Sequence, residues 1–428
     1  MPLNTKQTQV GTAILVVNLI LLIFVISQST YSFAISWAIG LSFGFVFQRS
    51  RFCTVAAIRD VFLLRNFALA KGVILYMALA TASFTILYII SSDMFLHISS
   101  RVGSIGILTI VGAFIFGIGM VIAGGCAAGT LVRMGEGLIM QWWGFLGILL
   151  GTLLGAWQYP LYQPYNIVLP SIFIPDYIGL FNTIILQFGV FAIIYGVFRW
   201  IEYRDKYHFN IYQSQYAVTA ATVNSSLLNK QTINLSNDQT INQSGNPLIK
   251  QVASLLKRIQ NKIARLIFKP WSYTTGAIVL ALITSIVFLW HQFWGITSGL
   301  AHLFAGLTNL FFGDFSNWEF FVQTANKQQM FFNYPLVPLV VAMVIGSHIS
   351  SLLANEFRIR RVAHKRYVIS ALLGGFLMGV GARLANGCNV SAVMSGIPSF
   401  SIQGWLFLAF MILGVLVGIK ILTKYLVV

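Results

Sequence analysis

Two stretches of this 428-residue chain carry the same unusual pattern: GAFIFGIGMVIAGGC at residues 112–126 and GGFLMGVGARLANGC at residues 374–388. A shift of 262 residues aligns them without a gap and pairs glycine with glycine and cysteine with cysteine. The same shift pairs Gln141 with Gln403. Agreement at so many uncommon residues predicts an internal repeat built on glycine-rich apolar segments.

The composition around these segments is that of a membrane protein. Hydrophobic residues make up 57% of the chain and charged residues only 9%, whereas a soluble domain carries about 25% charged residues. Apolar runs of about 18 residues or more recur along the chain, as transmembrane helices require. We therefore predict an all-α polytopic membrane protein with about ten transmembrane helices. In a membrane protein a net charge of +17 reflects topology, because Lys and Arg are concentrated in cytoplasmic loops. No nucleic acid is therefore expected as a partner.

Ten apolar runs are long enough to cross a bilayer. We expect them near residues 11–27, 31–47, 67–92, 105–122, 138–158, 178–198, 273–292, 335–354, 367–384 and 403–423. With the N-terminus inside, all but three of the 27 Lys and Arg residues fall on the inner side; the exceptions are Arg101, Lys327 and Arg383. Because cytoplasmic loops are rich in basic residues, we expect both termini to be cytoplasmic.

A polar segment divides the chain into three parts. Residues 204–270 are rich in Asn, Gln, Ser and Thr and end in the basic amphipathic piece PLIKQVASLLKRIQNKIARLIF. We predict an N-terminal membrane half (1–203), a cytoplasmic polar linker with a basic amphipathic helix (204–270) and a C-terminal membrane half (271–428). The amphipathic helix suits the anionic inner leaflet, and a plain linker is the alternative.

The expected topology orients the two repeats oppositely. The span at 105–122 runs outside to inside, and its partner at 367–384 runs inside to outside. Inverted repeats with glycine-broken helices are typical of transporters whose site lies near the bilayer midplane. We therefore predict two inverted-topology repeats with short re-entrant helices, and we expect a further re-entrant segment at 299–315. Gly124, Gly125 and Gly387 would let the helices break there and direct free N–H groups at an anion.

The chain has three cysteines, Cys53, Cys126 and Cys388, too few for a disulfide framework. In the predicted topology Cys126 is reached from the cytoplasmic side and Cys388 from the outer side, so the two thiols would lie along one path. We place Cys53 on a short amphipathic or re-entrant helix at the inner mouth.

Charged and amide side chains beside the cysteines are candidate anion contacts. Arg51 lies near Cys53 and would attract an anion leaving the path. Arg383 lies inside an apolar run, and an ionisable residue there is a functional candidate; snorkelling or pairing with a carboxylate is the alternative. Asn386 and Asn389 flank Cys388 and would donate amide hydrogen bonds.

No cofactor or metal is expected. His291, His302 and His348 lack the i, i+4 spacing of a metal site. No GxxxxGK[ST] phosphate-binding pattern is present.

The cysteine segments QRSRFCTVAAIRD (48–60), IAGGCAAGTLVRMGEG (122–137) and LANGCNVSAVMSGIP (384–398) resemble the YeeE/YedE family, a sulfur-transport membrane family. The resemblance covers nearly all of the membrane part, and residues 204–270 are its chief departure. It implies import of thiosulfate or a related sulfur or selenium species across the bacterial inner membrane. In the thiosulfate-uptake branch three cysteines line the path, and the motif match assigns them to Cys388, Cys126 and Cys53.

The expected function is thus an inner-membrane, multi-pass transporter, not an enzyme, that imports thiosulfate by relay along these cysteines. The motifs GARLANGCN and GIPSFS also resemble a selenium-linked YedE-type branch, so a selenium-species importer is one alternative. A membrane thiol sulfurtransferase is another. The expected partners are a small inorganic anion, the lipid bilayer and a soluble cytoplasmic sulfur carrier.

Overall fold

The computed structural model describes residues 6–27, 31–90, 105–166, 172–220, 269–291, 294–325, 330–362 and 364–425. Within these ranges the chain folds into α-helices joined by short turns. The α-helices are α1 (Lys6–Ser27), α2 (Tyr31–Ser50), α3 (Thr54–Leu64), α4 (Ala68–Ile90), α5 (Ile107–Ile122), α6 (Ala127–Gly135), α7 (Ile139–Trp157), α8 (Tyr159–Asn166), α9 (Ile174–Ile178), α10 (Leu180–Ala220), α11 (Tyr273–His291), α12 (Ile296–Phe312), α13 (Glu319–Thr324), α14 (Leu336–Leu353), α15 (Lys365–Leu384) and α16 (Ile402–Tyr425). A 3-10 turn (Phe331–Asn333) and a π-helix (Asn389–Gly396) complete these elements.

Ten helical segments in the described ranges are long and apolar enough to cross a membrane. The prediction of an all-α polytopic membrane protein with about ten transmembrane helices is confirmed. Two of the ten segments are interrupted: one joins α2 to α3, and another joins α5 to α6.

Burial distinguishes the central helices from the peripheral ones. In α14, 78% of the apolar window is buried inside the protein, whereas the figure is 11% for α1 and 17% for α10. The side chains of α1 and α10 are apolar yet exposed, as expected of helices whose solvent is lipid. The centre of the protein is therefore formed around α14, and α1 and α10 lie at its edge.

Close helix packing surrounds the interrupted segments, because small residues let helix backbones approach. A Cβ atom added to Gly119 of α5 would lie 2.6 Å from the carbonyl oxygen of Gly374 in α15. One added to Gly135 of α6 would lie 2.6 Å from the carbonyl oxygen of Val344 in α14. These contacts fix α5 and α6 against the second half of the chain.

The two sequence repeats fold into the same local unit. In each, a long helix ends, the chain turns, a short helix follows, and a second long helix returns: α5, α6 and α7 in the first, and α15, the π-helix and α16 in the second. Gln141 donates a side-chain hydrogen bond to the carbonyl of Ala123 at 3.2 Å. Gln403 donates to the carbonyl of Ala385 at 3.0 Å, which is the same bond shifted by 262 residues. The opposite orientation of the two units stays a prediction.

Some predicted features lie outside the described residues. Helix α10 continues to Ala220, and residues 221–268, with the amphipathic piece, are not among those described. Arg101 and Lys327 are likewise outside. The expected re-entrant segment at 299–315 largely coincides with α12, which is apolar but shorter than a full span. Its re-entrant course and the three-part division of the chain stay predictions.

Candidate functional site

Each of the three cysteines stands immediately before a helix. Cys53 precedes α3, Cys126 precedes α6 and Cys388 precedes the π-helix. All three are buried free thiols. In each case the residue two positions earlier has a positive φ: Arg51 (52°), Gly124 (76°) and Asn386 (50°). The three cysteines thus share one local geometry, which the sequence repeat predicted for two of them.

The turn before each repeat cysteine explains this geometry. The N–H of Gly125 bonds the carbonyl of Met120 at 3.0 Å, and the N–H of Gly387 bonds that of Ala382 at 2.9 Å. This bond closes a Schellman turn, in which a left-handed residue ends one helix. Glycine and asparagine tolerate that conformation better than other residues do. The next helix then begins at the cysteine, with its first N–H groups free of intrahelical partners.

The thiols of Cys53 and Cys126 are close enough to interact electrostatically. The Cys126 sulfur also accepts the N–H of Gly129 at 3.4 Å. A Cβ atom added to Gly129 would lie 3.6 Å from each of the two sulfurs, and within the described part of the chain those are the only atoms outside its own local backbone within 4 Å. Two buried thiols therefore face one small gap that no side chain fills.

The Cys388 turn is tied to this pair through Asn389 and Thr54. The Asn389 amide donates to the Thr54 hydroxyl at 2.7 Å, and Thr54 is also an electrostatic neighbour of the Cys126 thiol. The amide oxygen of Asn389 is buried and has no partner. At Cys388 itself the Ser391 hydroxyl lies 3.6 Å from the sulfur. The three cysteine-bearing helix starts thus converge on Thr54.

Asn386 has a different role from Asn389. Its side chain is exposed, and its φ of 50° places it at the left-handed position of the turn. The predicted amide contact is therefore better placed at Asn389.

Arg383 lies at the end of α15 with 5% of its surface exposed. Its guanidinium donates to the hydroxyls of Thr297 at 2.8 Å and Ser298 at 3.3 Å. It lies over the ring of Phe320, 4.8 Å from the centroid. Among the described residues it pairs with no carboxylate, and it is buried inside the protein.

Arg51 is half exposed and belongs to an ion-pair cluster. It pairs with Glu136 and, at 2.9 Å, with Glu356, which also pairs with the buried Arg49 at 2.7 Å. Burial raises the pKa of the Glu136 carboxyl. Burial acts in the same direction on Glu356, but Arg49, Gln48 and Arg51 outweigh it and hold the pKa of that carboxyl below its usual value. The anion-attracting role of Arg51 stays a prediction.

Three residues beside the cysteines were not named as candidates from the sequence: Thr54, Gly129 and Arg133. The Arg133 guanidinium donates to the carbonyl of Gly124, so it fixes the turn before Cys126. Arg133 and Arg59 line a cavity of about 210 Å³ beside Gly124 and the first turn of α3. Charge near Cys126 was the available signal for Arg133, since the run GTLVRMGEG directly follows that cysteine.

Comparisons with known proteins agree on one family. The family model described as Sulphur transport matches residues 49–417, which contain all three cysteines. The thiosulfate transporter TsuA of Spirochaeta thermophila is 25% identical over 396 residues, covering 88% of this chain and 94% of that protein.

Two further relatives come from Escherichia coli K12. Its thiosulfate transporter TsuA is 28% identical over 390 residues, covering 88% of this chain and 90% of that protein. Its probable transporter YedE is 30% identical over 125 residues, covering 29% of this chain and 30% of that protein. With the family match extending over most of the chain, the YeeE/YedE resemblance is confirmed, and this protein belongs to the sulphur-transport family.

Proposed function

We propose that this chain imports thiosulfate, or a closely related inorganic sulfur anion, across the bacterial inner membrane. The anion passes along Cys388, Cys126 and Cys53. The observation that carries the proposal is the gap at Gly129, bounded by the sulfurs of Cys53 and Cys126. Relatives named thiosulfate transporters, which align with 88% of the chain, support the substrate class.

The chemistry of the site suits an anion with two different ends. Thiosulfate has one soft sulfur and three hard oxygens. A thiol is a weak donor with a polarizable sulfur, so it favours the soft end. N–H groups at the starts of α3, α6 and the π-helix favour the oxygens. Weak contacts in series allow both entry and exit, which conduction requires.

The order of the thiols follows from the proposed topology. With both termini cytoplasmic and the repeats inverted, Cys388 is the outer thiol and the Cys53–Cys126 pair is the inner one. The hydrogen bond from Asn389 to Thr54 supports one continuous path, because it brings the Cys388 turn next to Cys53. Arg59 and Arg133 line the cavity beside Gly124 and would receive the anion on the inner side.

Two further features complete the proposal. The amphipathic piece at the end of residues 204–270 binds the inner leaflet and joins the two membrane halves, 1–203 and 271–428. A soluble sulfur carrier receives the anion at the inner mouth, near Arg51 and the Glu136–Glu356 cluster.

The thiol pair also favours a second function, a sulfurtransferase. A Cys126 thiolate would attack the outer sulfur of thiosulfate, forming a Cys–S–S⁻ persulfide while the sulfur–sulfur bond breaks and sulfite leaves with the electron pair. The thiol proton would go to sulfite. A selenium-species importer is the alternative within transport, and the local likeness to YedE is its support.

Uptake of thiosulfate into liposomes that contain only this protein tests the proposal. We expect uptake by the unchanged chain and its loss in Cys126→Ala and Cys388→Ala. Ser83→Ala is the matched control, since it removes a half-buried hydroxyl that is hydrogen-bonded to Ser285 in a different part of the protein. Uptake that survives both cysteine changes would remove the thiols from the mechanism, and the absence of uptake by well-folded protein would refute thiosulfate import.

A further inference from the structure

A buried positive charge without a counter-charge lies close to Cys388. Arg383 is 5% exposed, and its Nε atom has no hydrogen-bond partner among the residues that the structure describes. Its electrostatic neighbours include Cys388 and the phenols of Tyr162, Tyr334 and Tyr159. No carboxylate of the described residues pairs with it.

The groups around Arg383 compensate its charge only in part. Burying an ion is unfavourable unless an opposite charge and full hydrogen bonding offset the loss of its hydration. The hydroxyls of Thr297 and Ser298 accept two bonds, and the Phe320 ring adds a cation–π contact. These groups carry no negative charge, so the site as built retains the charge of the guanidinium.

A neighbouring histidine leaves that balance unchanged. The Nδ1 atom of His302 accepts the N–H of Phe331 at 3.2 Å, so it carries no proton. The Nε2 atom lies 3.2 Å from the Thr324 hydroxyl, to which it donates. His302 is therefore a neutral ring, stacked on Tyr334. Arg383 remains the cationic group of this region.

The surroundings of Arg383 reach the Cys388 turn. Helix α12, which provides Thr297 and Ser298, begins beside that turn: a Cβ atom added to Gly295 would lie 3.4 Å from Cβ of Ser391. The Ser391 hydroxyl in turn lies 3.6 Å from the Cys388 sulfur. On the other side, Gly155 of α7 leaves room for the Arg383 stem, since a Cβ atom there would lie 2.5 Å from Cβ and Cγ of Arg383.

We propose that Arg383, with the hydroxyls of Thr297 and Ser298, forms an oxyanion-binding chamber beside Cys388, and that the bound anion supplies its missing counter-charge. The ligand is a small tetrahedral oxyanion. The inference rests on the proposed function only in requiring that the chain carries an anion. Both hydroxyls accept from Arg383 and keep their own protons for donation to the ligand.

The chamber and the thiols are expected to select for different parts of the anion. A guanidinium and two hydroxyls bind hard oxygens and do not contact a soft sulfur selectively. Sulfate has the same tetrahedral oxygens but no outer sulfur for the thiols. Sulfate should therefore bind the chamber and compete with thiosulfate without being transported. Selection for the outer sulfur would take place at the thiols, after the chamber.

Thermal unfolding of the purified protein in sulfate, against chloride at equal ionic strength, tests the chamber. We expect sulfate to raise the unfolding midpoint of the unchanged protein and of Cys388→Ala, and not that of Arg383→Met. In chloride, Arg383→Met should unfold no earlier than the unchanged protein, because it removes an uncompensated buried charge. Arg199→Met, which removes an exposed arginine, is the matched control and should keep the sulfate effect.

Equal sulfate stabilisation of Arg383→Met and the unchanged protein would overturn the proposal, as would no stabilisation of the unchanged protein. If Arg383→Met does not fold, Arg383→Lys replaces it: a sulfate response moved to higher concentration supports the chamber, and an unmoved response overturns it. Thiosulfate uptake without sulfate binding would refute the chamber alone. Sulfate binding through Arg383 without thiosulfate uptake would refute the transport proposal alone.

Discussion

The gap between the two inner thiols can be filled without disturbing the fold. In Gly129→Ala the new methyl group would lie 3.6 Å from the sulfurs of both Cys53 and Cys126. That distance is ordinary van der Waals contact, so no atom has to move. Glycine inside a helix is less favourable than alanine by up to about 1 kcal/mol. The variant should therefore be as stable as the unchanged protein or slightly more stable.

Transport should respond in the opposite direction. The methyl group would occupy the point from which a substrate sulfur contacts both thiols. A typical hydrogen bond contributes about 0.5–1.5 kcal/mol, so losing two costs roughly 1–3 kcal/mol. Since about 1.4 kcal/mol corresponds to a factor of ten, the rate of thiosulfate uptake should fall roughly five- to 150-fold.

The assay is initial thiosulfate uptake into liposomes, with the unfolding midpoint measured on the same preparation. Gly189→Ala is the matched control, because Gly189 lies in α10 and a Cβ atom there would meet nothing within 4 Å. It should show a similar change in stability and unchanged uptake. Normal uptake by Gly129→Ala at full stability would refute the claim that the substrate passes between these thiols.

Three further changes test other parts of the structure. Gln403→Leu leaves the buried carbonyl of Ala385 unpaired, and Gln141→Leu does the same to the carbonyl of Ala123, so each should lower the free energy of unfolding by about 1–3 kcal/mol. Unfolding midpoints measure this, with Gln323→Leu at an exposed position as the control, and an unchanged midpoint for either variant would contradict the expectation. Asn389→Ala removes the bond to Thr54 and should reduce both stability, by about 1 kcal/mol, and thiosulfate uptake; uptake equal to that of the unchanged chain would exclude a role for this link. The pKa of the Glu356 carboxyl is lowered in the folded protein, so the ionised carboxylate stabilises the fold at any pH above the ordinary pKa of 4.5, and this stabilisation is lost as the pH falls through the lower pKa of the folded state. Glu356→Gln should therefore unfold earlier than the unchanged protein at neutral pH and lose less stability on acidification. Parallel profiles of stability against pH for the two proteins would contradict this role of Glu356.

The repeat was predictable because it rests on local features. A glycine or asparagine that tolerates a left-handed turn, a cysteine two positions later and a glutamine in the returning helix are all visible as letters at a constant shift. The structure gives the physical reason for the glutamines, since each bonds the carbonyl at the end of the preceding helix. The predicted helix break at Gly124 and Gly125 follows from the same turn.

The contacts between distant segments were not predictable in this way. The acid partners of Arg51 lie 85 and 305 residues away in the chain, and the Thr54 partner of Asn389 lies 335 residues away. Gly129 lies among other small residues in AAGTLV, so nothing in the sequence marks it as the side of a gap. Such contacts depend on how the ends of α2, α6 and α14 pack against one another and against the starts of α3 and the π-helix, which local pattern does not specify.

The convergence of the three cysteine-bearing turns has a consequence for selectivity. The donor groups at Arg383 would bind the oxygens of the anion first, and the thiols of Cys388 and of the Cys53–Cys126 pair would then contact its outer sulfur. An oxyanion without an outer sulfur would meet only the first kind of contact. Selectivity would then arise within the protein and not at its entrance.

Thiosulfate is proposed to cross the membrane intact and in contact with the thiols, and position-specific labelling distinguishes this from sulfur transfer. Liposomes containing this protein would be given thiosulfate labelled with radioactive sulfur at either the outer or the inner sulfur. Intact transport predicts equal accumulation of both labels inside, and loss of both in Cys126→Ala. Accumulation or protein-bound retention of the outer sulfur alone, with labelled sulfite left outside, would contradict the account and establish a sulfurtransferase.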